Sequence, residues 1–176
     1  MRTTRDPAPV AVVGFGPSGA ADALRRMLDV PVDVWDPYDL AMGRADGTSY
    51  QAVVVENFHP RRDELGLSEC GARWALPGDP LTVVSLDDPA GRRLAQRLGG
   101  RAFAYSDGKD HADLTARNVN LRWGRLEFDA LTDRELARVR LPLGEEPDLY
   151  GPLAALACAL GLGMPLEEAV RRLSEI

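Results

Sequence analysis

Short apolar runs at 10–13, 52–55 and 81–86 show almost no alternation with polar residues. That pattern belongs to strands covered on both faces, as in a parallel sheet sandwiched between helices. Between the first two runs, 20–28 mixes small apolar residues with arginines at helical spacing, and 32–35 reads as another strand. A loop rich in Gly and Asp fills 37–49. The run at 81–86 ends in Asp87-Asp88-Pro89; a proline at the first helical position and Gly99-Gly100 at the far end predict a helix over 89–98. A short strand follows at 102–105. From 112 to 141 the texture changes to alternation (Val119, Leu121, Trp123; Leu126, Phe128; Val139, Leu141), broken by Gly124 and Asp133, which predicts antiparallel strands with one wet face. Two helices close the pattern: an apolar one over 150–160 and, beyond the break at 161–163, an amphipathic one that Pro165 starts and that puts Leu166, Ala169, Val170 and Leu173 on one face. The expectation is a single α/β domain over 10–176, three-layer-like, with a mostly parallel central sheet, a short antiparallel add-on and two C-terminal helices. Residues 1–9 are expected to be an extended or disordered segment.

Length and charge narrow the classes. A chain of 176 residues with 45% hydrophobic content supports one well-buried core. The net charge of −6 offers no broad cationic field, which argues against nucleic acid as a partner. No apolar run approaches a membrane span or a signal-peptide core, so the expected location is the cytoplasm, with no membrane contact. Cys70 and Cys158 stand far apart, and neither His59 nor His111 has zinc-ligand spacing, so no disulfide framework and no metal is expected. The basic charge is twenty arginines and a single lysine, Lys109.

Two regions carry candidate chemistry. Gly14-x-Gly16-Pro17-Ser18-Gly19 follows the first strand and opens the first helix, and Asp36 ends the second strand; together they match the dinucleotide-binding fingerprint. Glycines admit a pyrophosphate, the helix start offers free N–H groups, and the acid accepts from a ribose hydroxyl. The competing reading is a tight turn that needs glycine whether or not a ligand binds. This is not an ATPase phosphate loop, because Pro17-Ser18 stands where Lys-Thr would. The second region is the polar cluster after the third strand, Glu56, Asn57, His59, Arg61, Arg62, Asp63 and Glu64, with Asp87 and Asp88 at another strand end. Open α/β sheets place their ligand crevice at such ends. Glu56, His59 and Arg62 are the candidate catalytic residues, able to move protons on an anionic substrate. Asn57, Arg61, Asp63, Glu64, Asp87 and Asp88 are candidate substrate contacts. A solvated charged turn is the alternative.

Five segments in order resemble the central domain of the Mur ligases, the muramyl peptide amide ligases. Residues 52–58 resemble the strand leading into the family's N-x-x-x-D-H-x-D segment. Residues 83–89 (VVSLDDP) resemble its V-V-N-x-D-D-P, residues 112–119 (ADLTARNV) its A-D-x-x-A-x-N-V, and residues 138–144 (RVRLPLG) its V-x-L-P-L-x-G. Residues 149–161 resemble N-x-x-N-x-x-A-A-x-A-x-x-x-x-L-G. The glycine turn is similar to the uridine-nucleotide domain that begins the muramoyl-alanine:glutamate ligases, and also to the first turn of many flavoproteins.

The resemblance implies a Mur ligase central-domain fold and, for the family, ATP, magnesium and amide formation. The departures fall on that chemistry. Arg61-Arg62-Asp63-Glu64 stands for Asp-His-x-Asp, so Arg62 takes the metal-associated histidine's place. Arg73 is the nearest match to the carbamylated lysine, Ser85 replaces an asparagine, and the asparagine pair reads Asp148 and Gly151. Arginine neither ligates a cation nor forms that carbamate. The expectation is therefore a degenerate member that has lost ATP-dependent ligation, with ATP and magnesium not used. It would perform ATP-independent cyclisation, isomerisation or hydrolysis on a small, amino-acid-derived or peptidyl anion. Three alternatives stay open: a non-catalytic partner subunit that dimerises or supports a larger enzyme through the helices at 150–160 and 165–176, a dinucleotide-binding protein, and a residual ATP-dependent ligase.

Overall fold

The structure, a computed structural model, describes residues 7–14, 19–37, 39, 43–44, 47–56, 79–108, 111–122, 124–142 and 148–175. Its strands are β1 (Val10–Val13), β2 (Val32–Trp35), β3 (Ala52–Val55), β4 (Leu81–Ser85), β5 (Ala102–Asp107), β6 (Leu114–Arg122), β7 (Arg125–Leu131) and β8 (Leu136–Pro142). Among the described residues the α-helices are α1 (Gly19–Met27), α2 (Pro89–Leu98), α3 (Tyr150–Gly161) and α4 (Leu166–Ser174). All eight strands form one sheet in the order β2-β1-β3-β4-β5-β6-β7-β8. Every pair from β2 across to β6 is parallel, and the β6–β7 and β7–β8 pairs are antiparallel.

The burial of the strands follows their sequence. In β1 and β3 every residue is buried, because alternate side chains enter two different cores. Val10, Val12, Ala52 and Val54 face the larger core with α1, α3 and α4, whereas Ala11, Val13, Val53 and Val55 join Tyr50, Ala90 and Leu94 under α2. This is a helix–sheet–helix sandwich. In β7 and β8 the alternation is half polar: Leu126, Phe128, Ala130, Val139 and Leu141 are buried, and Glu127, Asp129 and Arg138 pair on the wet face.

The antiparallel strands expected over 112–141 are β6, β7 and β8. The alternation does not show that β6 also begins as a parallel neighbour of β5 (Tyr105 beside Leu114, Asp107 beside Ala116). It becomes an antiparallel partner of β7 along its length, with a register shift between Arg117 and Asn120, where Asn118 has φ 52°. Alternation reports one wet face; it is silent on strand direction.

The two C-terminal helices bury their apolar residues inside the domain. Leu153, Ala154, Ala155, Leu156, Ala157, Cys158 and Ala159 are fully buried, and so is the apolar stripe of α4. Their apolar area is covered within the domain by α1 and the sheet. No helix among the described residues is long and apolar enough to cross a membrane.

Candidate functional site

The chain turns left from β1 to β2 and right from β3 to β4 and β5, so the direction of winding reverses between β1 and β3. In an open parallel sheet this reversal leaves a crevice beyond the carboxyl ends of those two strands, because the connecting helices depart to opposite faces. Here α1 lies on one face and α2 on the other. Val13 and Val55 are register partners, so the residues that leave the sheet side by side are Gly14 and Glu56. Their backbones stay in the ladder: Gly14 N–H donates to Trp35 C=O at 3.1 Å, and Glu56 N–H to Val13 C=O at 2.9 Å.

The Glu56 side chain folds across Gly14 towards the start of α1. A Cβ on Gly14 would come within 2.9 Å of Glu56 Oε2 and 3.1 Å of its Cβ, so a side chain there would displace the Glu56 carboxylate. Glu56 Oε1 accepts from Ala20 N–H at 3.4 Å, a long bond but a directed one, to an amide of α1's first turn. That turn carries N–H groups without helical partners and the positive end of the helix dipole. A carboxylate from a distant strand therefore holds the place where a bound anion would sit.

A second helix start lies beside the first. Asp148 Oδ1 accepts from Tyr150 N–H at 2.8 Å and Oδ2 from Gly151 N–H at 2.9 Å, which caps α3. The same Oδ2 would lie 2.8 Å from a Cβ on Gly19, and a Cβ on Gly151 would lie 2.9 Å from Gly19 C. Glycine on both helices thus lets α1 and α3 meet backbone to backbone at their first turns.

Asp87, from the end of β4, completes the edge: its Oδ2 accepts from Asp107 N–H at 2.6 Å and from the Tyr150 hydroxyl at 3.4 Å. Ser85 Oγ accepts from Asp87 N–H at 3.2 Å. Behind these groups Tyr105 is 1% exposed. Burial holds its phenol far above the ordinary tyrosine range, and the charges of Glu56, Asp148 and Asp87 push the same way. Tyr150 is pushed up to about 12, first by burial and then by Asp87 and Asp107. Both phenols are neutral donors at physiological pH.

The charges decide what the edge favours. Two helix starts supply roughly half a positive unit each, or about one in total, facing four carboxylates in Glu56, Asp87, Asp107 and Asp148. The balance of these groups is negative. Oxygen donors are the type magnesium takes, but it needs several in octahedral array. Among the described residues no three His, Cys, Asp or Glu side chains are grouped to hold a metal ion.

The structure brings Gly14, Gly19, Glu56 and Asp87 to this edge. Asp88 has a different position: its Oδ1 accepts from Ala90 N–H at 2.9 Å, capping α2 ahead of Pro89. Asp36 follows β2, and its C=O accepts from Asp39 N–H at 3.0 Å. Gly16, Ser18, Asn57, His59, Arg61, Arg62, Asp63 and Glu64 lie outside the described residues. Sequence reasoning passed over Tyr105, Asp107 and Tyr150. It met Asp148 only as a replaced asparagine, although an acid just ahead of an apolar helix is a capping signal.

No family model matches the chain. It is 36% identical over 156 residues to the UDP-N-acetylmuramoyl-L-alanyl-D-glutamate--2,6-diaminopimelate ligase of Synechococcus sp. (strain WH7803), which covers 83% of this chain and 31% of that protein. To the ligase of the same name from Pseudomonas aeruginosa it is 33% identical over 148 residues, 79% of this chain and 30% of that one. Among solved structures, a ligase of that name superposes with a TM-score of 0.74 at 17% identity, over 98% of this chain and 47% of that chain. The MurF ligase of Thermotoga maritima in complex with ADP gives 0.72 at 14% identity, over 97% and 48%. The chain spans less than a third of the length of these curated relatives and about half of these solved chains. Through the sequence it shares with those ligases and the sheet it builds, the chain belongs to the Mur ligase family.

Proposed function

We propose that this domain acts without ATP on a small amino-acid-derived or peptidyl substrate, through a proton-transfer reaction such as cyclisation, isomerisation or hydrolysis. The observation that carries the reading is the Glu56 carboxylate, which lies over Gly14 and against the first turn of α1, where a doubly wound sheet receives a phosphate. Two unit charges about 4 Å apart repel by about 4 kcal/mol at an effective dielectric near 20. A nucleotide phosphate entering there needs cations to offset that repulsion. Phosphoryl transfer relies on such clamps, and the chain's one lysine, Lys109, follows β5 rather than the glycine turn.

Glu56 is the base in this reading, and the neutral Tyr150 phenol a donor beside it. His59 and Arg62 follow Glu56 in sequence as a second proton carrier and an anion partner. Arg61 is a further anion contact, and Asn57, Asp63, Glu64 and Asp87 are polar contacts to substrate. The substrate's anionic group falls to the arginines, since the described edge is acidic.

The test has two arms. Phosphate release from ATP and magnesium, with amino acids and peptides present, is expected to stay at background; turnover that requires magnesium and disappears in Glu56→Gln would overturn the proposal. In a metabolite mixture followed by mass spectrometry, the wild-type protein is expected to convert a component that Glu56→Gln, His59→Ala and Arg62→Ala leave at least a hundredfold slower.

A further inference from the structure

Beyond Ala116 strand β6 leaves β5 behind and keeps β7 as its neighbour, so β6, β7 and β8 run past the parallel sheet as an antiparallel ribbon. One face of the ribbon covers the core through Leu126, Phe128, Val139 and Leu141, and the other is wet. Along most of the wet face the charges are matched. Arg138 donates to Asp129 Oδ1 at 2.7 Å and to Glu127 Oε2 at 3.0 Å, and Arg140 Nε lies 3.6 Å from Glu127 Oε1. At the tip the matching stops. Arg122 and Arg125 are register partners, so two exposed guanidinium groups stand directly across the strands from each other. Among the described residues neither guanidinium has an ion pair or a hydrogen bond. Like charges opposite each other destabilise a strand pair. With Asn120 and Glu127 the two arginines line a hollow of about 430 Å³ that opens to solvent, in a chain whose net charge is −6.

We infer that Arg122 and Arg125, with the Asn120 amide, bind the phosphate group of a phosphomonoester in this hollow. A guanidinium presents parallel N–H donors in a planar fork, and a phosphate has three acceptor oxygens. Two forks and an amide N–H supply donors to all three oxygens, whereas a single fork already satisfies a carboxylate. The dianion also replaces the repulsion between the two arginines with attraction to both. Glu127 at the rim does not cancel the site, because Arg138 and Arg140 answer its charge from β8. The hollow lies on the projecting ribbon rather than in the crevice beside Glu56, so the inference goes beyond the proposed function and stands or falls apart from it.

The test is a nitrogen-15 NMR titration of the whole chain with inorganic phosphate, phenyl phosphate and acetate at constant ionic strength. Both phosphates are expected to shift the Arg122 and Arg125 Nε–H and the Asn120 side-chain amide resonances in a saturable way, and acetate to bind about tenfold more weakly. Arg122→Gln and Arg125→Gln are each expected to weaken phosphate binding about tenfold, the size of one charged hydrogen-bonding partner. Arg134→Gln, which changes an exposed arginine in the turn between β7 and β8 at the other end of the ribbon, is expected to leave it unchanged. Arg125→Glu is expected to abolish binding and raise the melting temperature, because it sets an opposite charge across from Arg122. Absent or unsaturable shifts with either phosphate, acetate bound as tightly, unchanged binding in either glutamine variant at the tip, equal weakening in Arg134→Gln, or a lower melting temperature for Arg125→Glu would each overturn the inference.

Discussion

Helix α2 starts on its own resources, whereas α1 starts on a carboxylate brought from the end of another strand. At α2, Asp88 caps the next turn, Pro89 supplies a preset φ, and both stand beside the helix they serve. At α1 the acceptor is Glu56, thirty-six positions away in the chain, and the Asp148 that caps α3 also presses on Gly19. A local cap needs only to start a helix. A carboxylate brought from another strand to a helix start, in contact with a neighbouring helix, also sets the charge of a crevice. The contrast separates capping that stabilises the fold from capping that shapes the site.

Substitutions can break this contrast, and the largest effect is expected from glycine. Gly91 packs so tightly on the Ser85 carbonyl that a Cβ would overlap that oxygen, and backbone cannot give way as a side-chain end can. Gly91→Ala is expected to lower unfolding free energy by about 3 kcal/mol in urea titration, the upper end of overpacking effects. Gly151→Ala meets Asp148 Oδ2 at 2.5 Å and Gly19 C at 2.9 Å, and is expected to lose about 2 kcal/mol. Only Gly151→Ala should also move the Ala20 and Tyr150 amide resonances in the protein that remains folded, since Gly151 packs on Gly19 at the two helix starts; equal changes in both variants would erase the distinction.

The caps give the next effect. Asp88→Ala and Asp148→Ala are each expected to lose about 1 kcal/mol in the same titration. Asp88→Ala should leave the Ala20 amide resonance in place, and Asp148→Ala should move it, because only Asp148 lies beside Gly19. The smallest effect is alkaline. Tyr150 carries its proton from the ordinary value of 10.0 up to about 12 in the folded chain, whereas the unfolded chain releases it near 10.0. The folded state therefore binds more protons in that window, and stability is lost as pH rises through it. Tyrosinate absorbance is expected to lag the unfolded chain's, and Asp87→Asn to shorten the lag; an unchanged lag would remove Asp87 from the site's electrostatics.

The strands and α2 were legible because their signals are local. Continuous apolar runs gave β1 and β3 to the residue, and Asp-Pro with Gly-Gly bounded α2. The direction of β6 was not legible, since the same alternation serves both pairings. Glu56 and Asp87 could be placed at strand ends from the order of runs alone. The burial of Tyr105 behind the edge and the Gly19–Gly151 approach could not, because both exist only once segments far apart in the chain are packed. The arginines that drew the sequence reading to 61–62 lie outside the described residues.

Arg172 adds a second tie between α4 and α1: its guanidinium donates to the Met27 carbonyl at 3.0 Å, at the opposite end of α1 from Gly151. Helix α1 is thus clamped at both ends by the last described segment. A ribosome makes α1 early and its clamps more than a hundred residues later, so a growing chain carries the apolar face of Ala20, Leu24 and Met27 covered only in part, by β1 and β3, until 150–174 have been made. Transiently exposed apolar surface of that kind is what makes a growing chain prone to aggregation.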